Sequence, residues 1–145
     1  MRTWWVLRAG LNALPSAAAL AWGVAHGGRP RVGPDLLVEC GGMRGGYARG
    51  GTTVGNVWLH GGLGGPVRRR HEARHADQWA VLGPVLMPLA YGVEAALTRG
   101  DARRSRFERH AGLADGGYGP DRPLRRPRLL AGARPRRPGG ALPPR

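Results

Sequence analysis

The residues with the clearest chemical potential form one short run, His71-Glu72-Ala73-Arg74-His75. On an α-helix, residues four apart share a face, so both imidazoles can bind the same metal ion. Glu72 lies one step round the helix, where its carboxylate can contact a metal-bound water without binding the metal. This H-E-x-x-H pattern is typical of zinc hydrolases in which the glutamate is the general base. The pattern therefore predicts a zinc site with ligands His71 and His75 and catalytic base Glu72.

The same run also fits a plainer interpretation. Arginines surround the histidines at positions 68, 69, 70 and 74, as they would on a charged helix face that contacts only solvent. Gln78 follows His75 by three residues and either orients a ligand or is an ordinary exposed polar side chain. Trp79 is expected to pack in the core beneath the site.

A zinc site that remains open to water needs a third protein ligand. The downstream candidates are Asp101, Glu108, His110 and Asp115. Glu108 is favoured, because the small residues Ala111 and Gly112 would let its helix approach the metal-binding helix closely. His110 is the second choice.

The two aspartates have other expected roles. Asp101 is expected to be the N-cap of a helix. Asp115 either accepts the second ring N–H of a ligating histidine or forms a turn before Gly116. Catalysis would also need a strand edge for an extended peptide, for which residues 51–58 are the candidate. An oxyanion donor is needed as well, and the candidates are Tyr91, Tyr118 and His110.

The motif and its surroundings resemble a known family. Residues 71–78, followed about thirty residues later by Arg106-Phe107-Glu108-Arg109-His110-Ala111, resemble minimal zincin-like domains, which are short bacterial proteins. These carry H-E-x-x-H-x-x-Q and a later Phe-Glu-x-x-Ala, and the likeness covers about residues 50–118. The gluzincin pattern implies that His71, His75 and Glu108 bind zinc, that Glu72 is the base, and that a peptide or protein is the substrate. Gluzincin peptidases have an acid four residues after the ligand glutamate, and this chain has Gly112 there.

Composition excludes several other classes of site. All 23 basic residues of the 145-residue chain are arginine, which excludes a P-loop and any Schiff-base lysine. The one cysteine, Cys40, excludes an internal disulfide, a zinc finger and an iron–sulfur cluster.

The expected fold class is α+β in three segments. Residues 1–28 are predicted to form an apolar helix, residues 29–119 a zincin-like metal-binding domain, and residues 120–145 a disordered tail. Within the domain, strands over 36–40 and 52–60 predict a small antiparallel sheet. Three helices follow, over 66–82, 85–97 and 103–113, and the first carries the H-E-x-x-H motif.

The N-terminal segment is amphipathic. Its apolar residues recur at helical spacing, namely Trp4, Leu7, Leu11, Leu14 and Ala18, and its polar residues share another face, namely Arg8, Asn12 and Ser16. We expect a helix with a kink near Pro15. It fits a core helix, a helix in weak contact with a membrane surface, or a cleaved signal peptide. These alternatives correspond to a cytoplasmic protein, a membrane-associated one and an exported one.

Residues 120–145 hold eight arginines and seven prolines, and half of the net charge of +14. No aromatic side chain alternates with these arginines for stacking on bases, so no specific nucleic-acid binding is expected. The sequence thus favours a zinc-dependent hydrolase of the metallopeptidase type. A non-enzymatic protein with a structural or vestigial zinc site is the alternative, and a basic membrane-surface or nucleic-acid accessory protein is a weaker one.

Overall fold

The computed structural model describes residues 1–48, 51–62 and 64–119. The tail predicted over 120–145 lies outside the described residues. The chain begins with two helices, α1 (Arg2–Leu11) and α2 (Ala13–Ala25). They break at Asn12 (φ −91°, ψ 5°) and not at Pro15 as expected. Pro15 lies in the first turn of α2. Backbone N–H groups in the first turn of a helix make no intrahelical hydrogen bond, so proline, which lacks the N–H, is tolerated there.

Within the described residues, the sheet has four short strands with mixed directions. They are β1 (Arg29–Val32), β2 (Val38–Gly41), β3 (Thr52–Val54) and β4 (Val57–Leu59). Their order across the sheet is β1-β2-β4-β3. Two pairs are antiparallel, but β2 and β4 are parallel. The prediction of an antiparallel sheet is therefore wrong for the central pair, because the chain crosses to the far edge as β3 before it returns as β4.

The strand predicted over 52–60 is in fact the β3–β4 hairpin. Its turn contains Gly55, which has a φ of 58°, a conformation that favours glycine. A Cβ on Gly55 would lie 2.7 Å from the Ser16 hydroxyl of α2. The Asn56 backbone N–H donates to that same hydroxyl at 2.7 Å. The turn therefore holds the sheet tightly against α2.

The longest helix, α3 (Pro66–Thr98), contains the H-E-x-x-H residues. Gly83 interrupts it with non-helical angles (φ 75°, ψ 176°). The segments before and after Gly83 correspond to the helices expected over 66–82 and 85–97. The helix expected over 103–113 is shorter, because Ser105 has extended angles between a 3-10 turn (Ala102–Arg104) and α4 (Arg106–Ala111). The Ser105 hydroxyl caps α4 by accepting from the Glu108 N–H.

The sheet separates two small cores. One core lies between α2 and the sheet and contains Ala19, Cys40, Met43, Val57 and Leu59. The other lies between α3 and the sheet and contains Leu37, Trp58 and Ala76. Consecutive residues of β4 enter opposite cores because successive strand side chains point to opposite faces. The α+β class is confirmed. The sheet packs against α3 through Leu37 and Trp58, which contact Ala76 next to the H-E-x-x-H residues.

Candidate metal centre

Three side chains from two helices meet at one buried point. His71 and His75 extend from α3, and Glu108 extends from α4. The Nε2 atoms of the two histidines are 3.1 Å apart. Glu108 Oε2 lies 3.2 Å from Nε2 of His71 and 3.5 Å from Nε2 of His75. The three side chains are 2%, 7% and 4% exposed, and together they could hold a metal ion.

Small residues at the end of α4 allow this approach. Ala111 is fully buried, and Gly112 has a φ of 92°. A Cβ on Gly112 would lie 2.6 Å from a guanidinium nitrogen of Arg74. A larger residue at position 112 would therefore require the Arg74 side chain to move, and its positive φ favours glycine.

Hydrogen bonds determine which ring nitrogen of each histidine carries a proton. His71 Nδ1 lies 3.2 Å from the Ala111 carbonyl and 3.0 Å from the Gly112 carbonyl. His75 Nδ1 lies 2.8 Å from the side-chain oxygen of Gln78. Carbonyl oxygens only accept, so Nδ1 is the protonated nitrogen in both neutral rings. Each Nε2 then presents a lone pair toward the carboxylate oxygen of Glu108.

The convergence of three acceptors requires positive charge between them. Glu108 Oε2 is buried and has no hydrogen-bond donor among the described residues. Burial by itself raises the pKa of Glu108, but when His71 and His75 are protonated on Nε2 as well as Nδ1, their hydrogen bonds to Glu108, the charge of His75 and the Tyr91 hydroxyl hold this pKa well below its usual range. Burial by itself lowers the pKa of His75. The hydrogen bond and negative charge of Glu108, the charge of Glu72 and the hydrogen bond to Gln78 outweigh burial, so the pKa of His75 is raised. A protonated histidine or a metal ion bound by the three side chains would each keep the Glu108 carboxylate ionised.

Glu72 lies beside this group and is held by the sheet. Its Oε2 atom accepts a hydrogen bond from the Thr53 hydroxyl of β3 at 2.7 Å. Glu72 is only 6% exposed. Trp79 fixes the same strand from α3 by donating its indole N–H to the Thr53 carbonyl at 2.9 Å. One carboxylate oxygen of Glu72 is thus anchored, and the side chain borders the same cavity as the three candidate ligands.

That cavity has a volume of about 400 Å³. Its polar end contains His71, Glu72, His75 and Glu108. Strand β3 lines the cavity, and so does the second half of α3, which contributes Met87, Pro88, Tyr91, Gly92, Ala95 and Thr98. Strand β3 ends the described sheet and lines the cavity, and its Thr53 carbonyl already accepts the Trp79 indole N–H. The arrangement offers an extended chain a place beside the polar group.

Several sequence candidates have other positions. Of the two roles open for Asp115, the structure has the turn before Gly116, and the carboxylate pairs with Arg74 at 2.9 Å. The N-cap expected at Asp101 is confirmed, since its side chain accepts from the Arg103 N–H. His110 is exposed and contacts the Gln78 amide at 3.2 Å, outside the group of three. The orienting contact expected of Gln78 is confirmed by its bond to His75.

The contacts of two residues of the site were not predictable from the sequence. Thr53 orients Glu72, and the Tyr91 hydroxyl donates to Glu108 Oε1 at 2.7 Å. Thr53 lies in a strand, and its contact depends on how the sheet packs under α3. Tyr91 was considered only as an oxyanion donor, and that role suits it poorly because its hydroxyl bonds Glu108. Tyr118 lines the cavity with its ring 6.0 Å from that of His71.

Comparisons with protein-family models, curated proteins and solved structures find no match to this chain.

Proposed function

We propose that this protein is a zinc-dependent hydrolase of the metallopeptidase type. His71, His75 and Glu108 would hold the ion, and Glu72 would be the general base. One observation carries the proposal: the three ligand atoms form a triangle with sides of 3.1, 3.2 and 3.5 Å. A tetrahedral zinc ion bound at about 2.0–2.1 Å separates its ligand atoms by about 3.3 Å. The triangle therefore has the size that zinc requires.

The chemical types of the three candidate ligands support zinc as the metal, and the number of ligands supports a catalytic site. Two imidazoles with one carboxylate form a ligand set found in catalytic zinc sites. Structural zinc sites usually have four protein ligands, whereas catalytic sites use three and leave one position for water or substrate. In the described part of the chain, His71, His75 and Glu108 are the only group of this kind. Three ligands that border a cavity fit the catalytic type better.

Glu72 would perform the proton transfers of peptide hydrolysis. Zinc supplies Lewis acidity when bound, which lowers the pKa of water and polarises a carbonyl group. Glu72 takes a proton from the attacking water, whose oxygen forms a bond to the carbonyl carbon. When the C–N bond breaks, Glu72 passes that proton to the departing amine. Thr53 orients the carboxylate for both transfers through its 2.7 Å hydrogen bond.

The cavity would accept an extended peptide. Its backbone would pair with the outer edge of β3, as strands added to a sheet edge do, although the Thr53 carbonyl of that edge already accepts a hydrogen bond from Trp79. Tyr118 is the candidate donor to the oxyanion, because it lines the cavity near His71. Tyr91 instead supports Glu108 with its hydroxyl at 2.7 Å.

A structural zinc site is the second candidate. It is favoured by the way in which the ligands join α3 to the six-residue α4, a helix too short to be stable alone. In that case zinc would hold α4 against α3, and Glu72 would be a buried hydrogen-bonded carboxylate without a chemical role.

The change Glu72→Gln separates the two candidates. The zinc content should remain that of the unaltered protein, since Glu72 is not a ligand, while cleavage of a quenched fluorescent peptide library should be lost. The matched control is Glu39→Gln, which makes the same chemical change at an ion pair with His60, outside the cavity. Cleavage by the Glu72→Gln variant at the unaltered rate would contradict the catalytic proposal. Full zinc content without cleavage of any library peptide by the unaltered protein would support the structural candidate.

A further inference from the structure

The N-terminal helices have their polar side inward. Arg8 is 1% exposed, and its guanidinium donates to the Ala73 carbonyl at 3.3 Å and to Asp77 at 3.2 Å. Asn12 is 1% exposed and donates to the Ala76 carbonyl at 2.9 Å. The polar stripe of the amphipathic pattern therefore packs against α3.

The apolar stripe of the same helices consequently faces outward. Leu7, Leu11 and Leu14 are 53%, 52% and 77% exposed. Trp22 and Val24 of α2 are about half exposed as well. An amphipathic helix on a water-facing surface has the reverse orientation, with its apolar stripe toward the core.

The second half of α3 repeats this arrangement. One side lines the cavity, and the other side presents an exposed apolar row of Val85, Leu86, Leu89, Val93 and Leu97, to which Val81 adds from the segment before Gly83. Glu94 is the one charged residue between Asp77 and Arg99. Its carboxylate is turned away from the row, since it accepts from the Ser105 hydroxyl at 2.6 Å and the Arg106 N–H at 2.7 Å. The exposed row therefore has no polar side chain.

The two apolar surfaces adjoin. The Trp4 indole N–H donates to Asp77 at 2.9 Å. Asp77 precedes Val81 by one helical turn, so the start of α1 lies beside the start of the apolar row. We call the outward side chains of α1 and α2, together with the row on α3, the apolar surface.

We propose that the hydrocarbon region of a lipid bilayer covers the apolar surface. Protein partners need hydrogen bonds at an interface, about one per 100–200 Å², and the row on α3 offers no polar side chain for them. Lipid tails need none. The charge of the chain fits anionic headgroups: Arg2 and Arg99 lie exposed at the start of α1 and the end of α3, and the net charge is +14.

The geometry favours a protein seated on the bilayer over one that crosses it. By length and composition, α3 is one helix in the described residues that could span a membrane. However, its apolar row begins near the break at Gly83, and the part from Pro84 to Thr98 is about 22 Å long, against a hydrocarbon core of about 30 Å. This proposal is independent of the zinc site.

Vesicle flotation of the full chain tests the proposal. The protein should float with phosphatidylcholine vesicles, with and without phosphatidylglycerol, and should still float at high salt because hydrocarbon contact is not screened. Leu7→Glu and Leu89→Glu should each lower the partition coefficient, by on the order of 10- to 100-fold for a charge moved into lipid. The matched control is Val67→Glu, which also replaces an exposed apolar residue with glutamate. Val67 lies in the first turn of α3, outside the apolar surface, so this variant should float like the unaltered protein.

Other outcomes would overturn the proposal. One is a monomer that stays in the aqueous fraction with every vesicle composition. A second is binding to phosphatidylglycerol vesicles alone that high salt reverses, which would assign the interaction to the arginines. A third is a lipid-free oligomer that Leu89→Glu dissociates, which would identify a second copy of the chain as the covering partner. Circular dichroism must show that each variant keeps the helical content of the unaltered protein.

Discussion

Gln78 connects the two helices that supply the candidate zinc ligands. Its side-chain oxygen accepts from His75 Nδ1 at 2.8 Å, and its side-chain nitrogen donates to the Phe107 carbonyl of α4 at 3.0 Å. The change Gln78→Ala removes both bonds and also the 3.2 Å contact of that nitrogen with His110. The His75 ring is then free to rotate or to move its proton to Nε2, the nitrogen that would bind zinc.

The size of the effect follows from these contacts. Partners that orient a metal-ligating histidine typically contribute 10- to 100-fold to metal affinity, or about 1.4–2.8 kcal/mol. We therefore expect Gln78→Ala to weaken zinc binding by about 10- to 100-fold. Gln78 is 8% exposed, so the loss of one buried and one partly buried hydrogen bond should also lower the free energy of unfolding of the zinc-free protein by about 1–3 kcal/mol.

Zinc titration against a competing chelator measures this affinity, and thermal unfolding of the zinc-free protein measures the stability. Gln78→Glu keeps an acceptor for His75 and should recover most of the lost affinity. His110→Ala is the matched control, because it removes the exposed neighbour of Gln78 without touching His75. The reasoning is refuted if Gln78→Ala binds zinc as tightly as the unaltered protein, or if His110→Ala is the more damaging change.

Three further predictions concern the surroundings of the site. Thr53→Val should reduce peptide cleavage while zinc content stays constant, because it frees Glu72 without altering a ligand; an unchanged cleavage rate would exclude the orienting role. Asp115→Ala should leave zinc affinity unchanged, since Asp115 pairs with Arg74, whereas Glu108→Ala should abolish tight binding; chelator titrations of both variants compare them. Arg8→Ala should lower the free energy of unfolding by about 2–3 kcal/mol, because it leaves two carbonyls without their donor and Asp77 with the Trp4 indole alone, and denaturant unfolding would show no loss if Arg8 faced outward.

Local patterns in the sequence predicted the elements that depend on local rules. The start of α3 at Pro66 and the break at Gly83 follow from the backbone limits of proline and glycine. The spacing of His71 and His75 placed both rings on one helix face. Glu108 was favoured over His110 on the small size of its neighbours, and the structure brings Glu108 to the histidines.

Features that depend on tertiary packing were not predictable in this way. The turn at Gly55 was missed because β-branched residues on both sides resemble one strand. The parallel pairing of β2 with β4 depends on a crossover that no local pattern encodes. The periodicity of α1 predicts that its polar and apolar residues lie on different faces, but it does not predict which face packs against the rest of the protein. Which face packs inward depends on the partners that Asp77 and the α3 carbonyls provide for Arg8.

The zinc content of the purified protein, measured by mass spectrometry, tests the central claim most directly. The account predicts one zinc ion per chain in the unaltered protein and none in His71→Ala, His75→Ala or Glu108→Ala. An unaltered protein that takes up no zinc when the metal is supplied, or folded variants that retain the full amount, would contradict it.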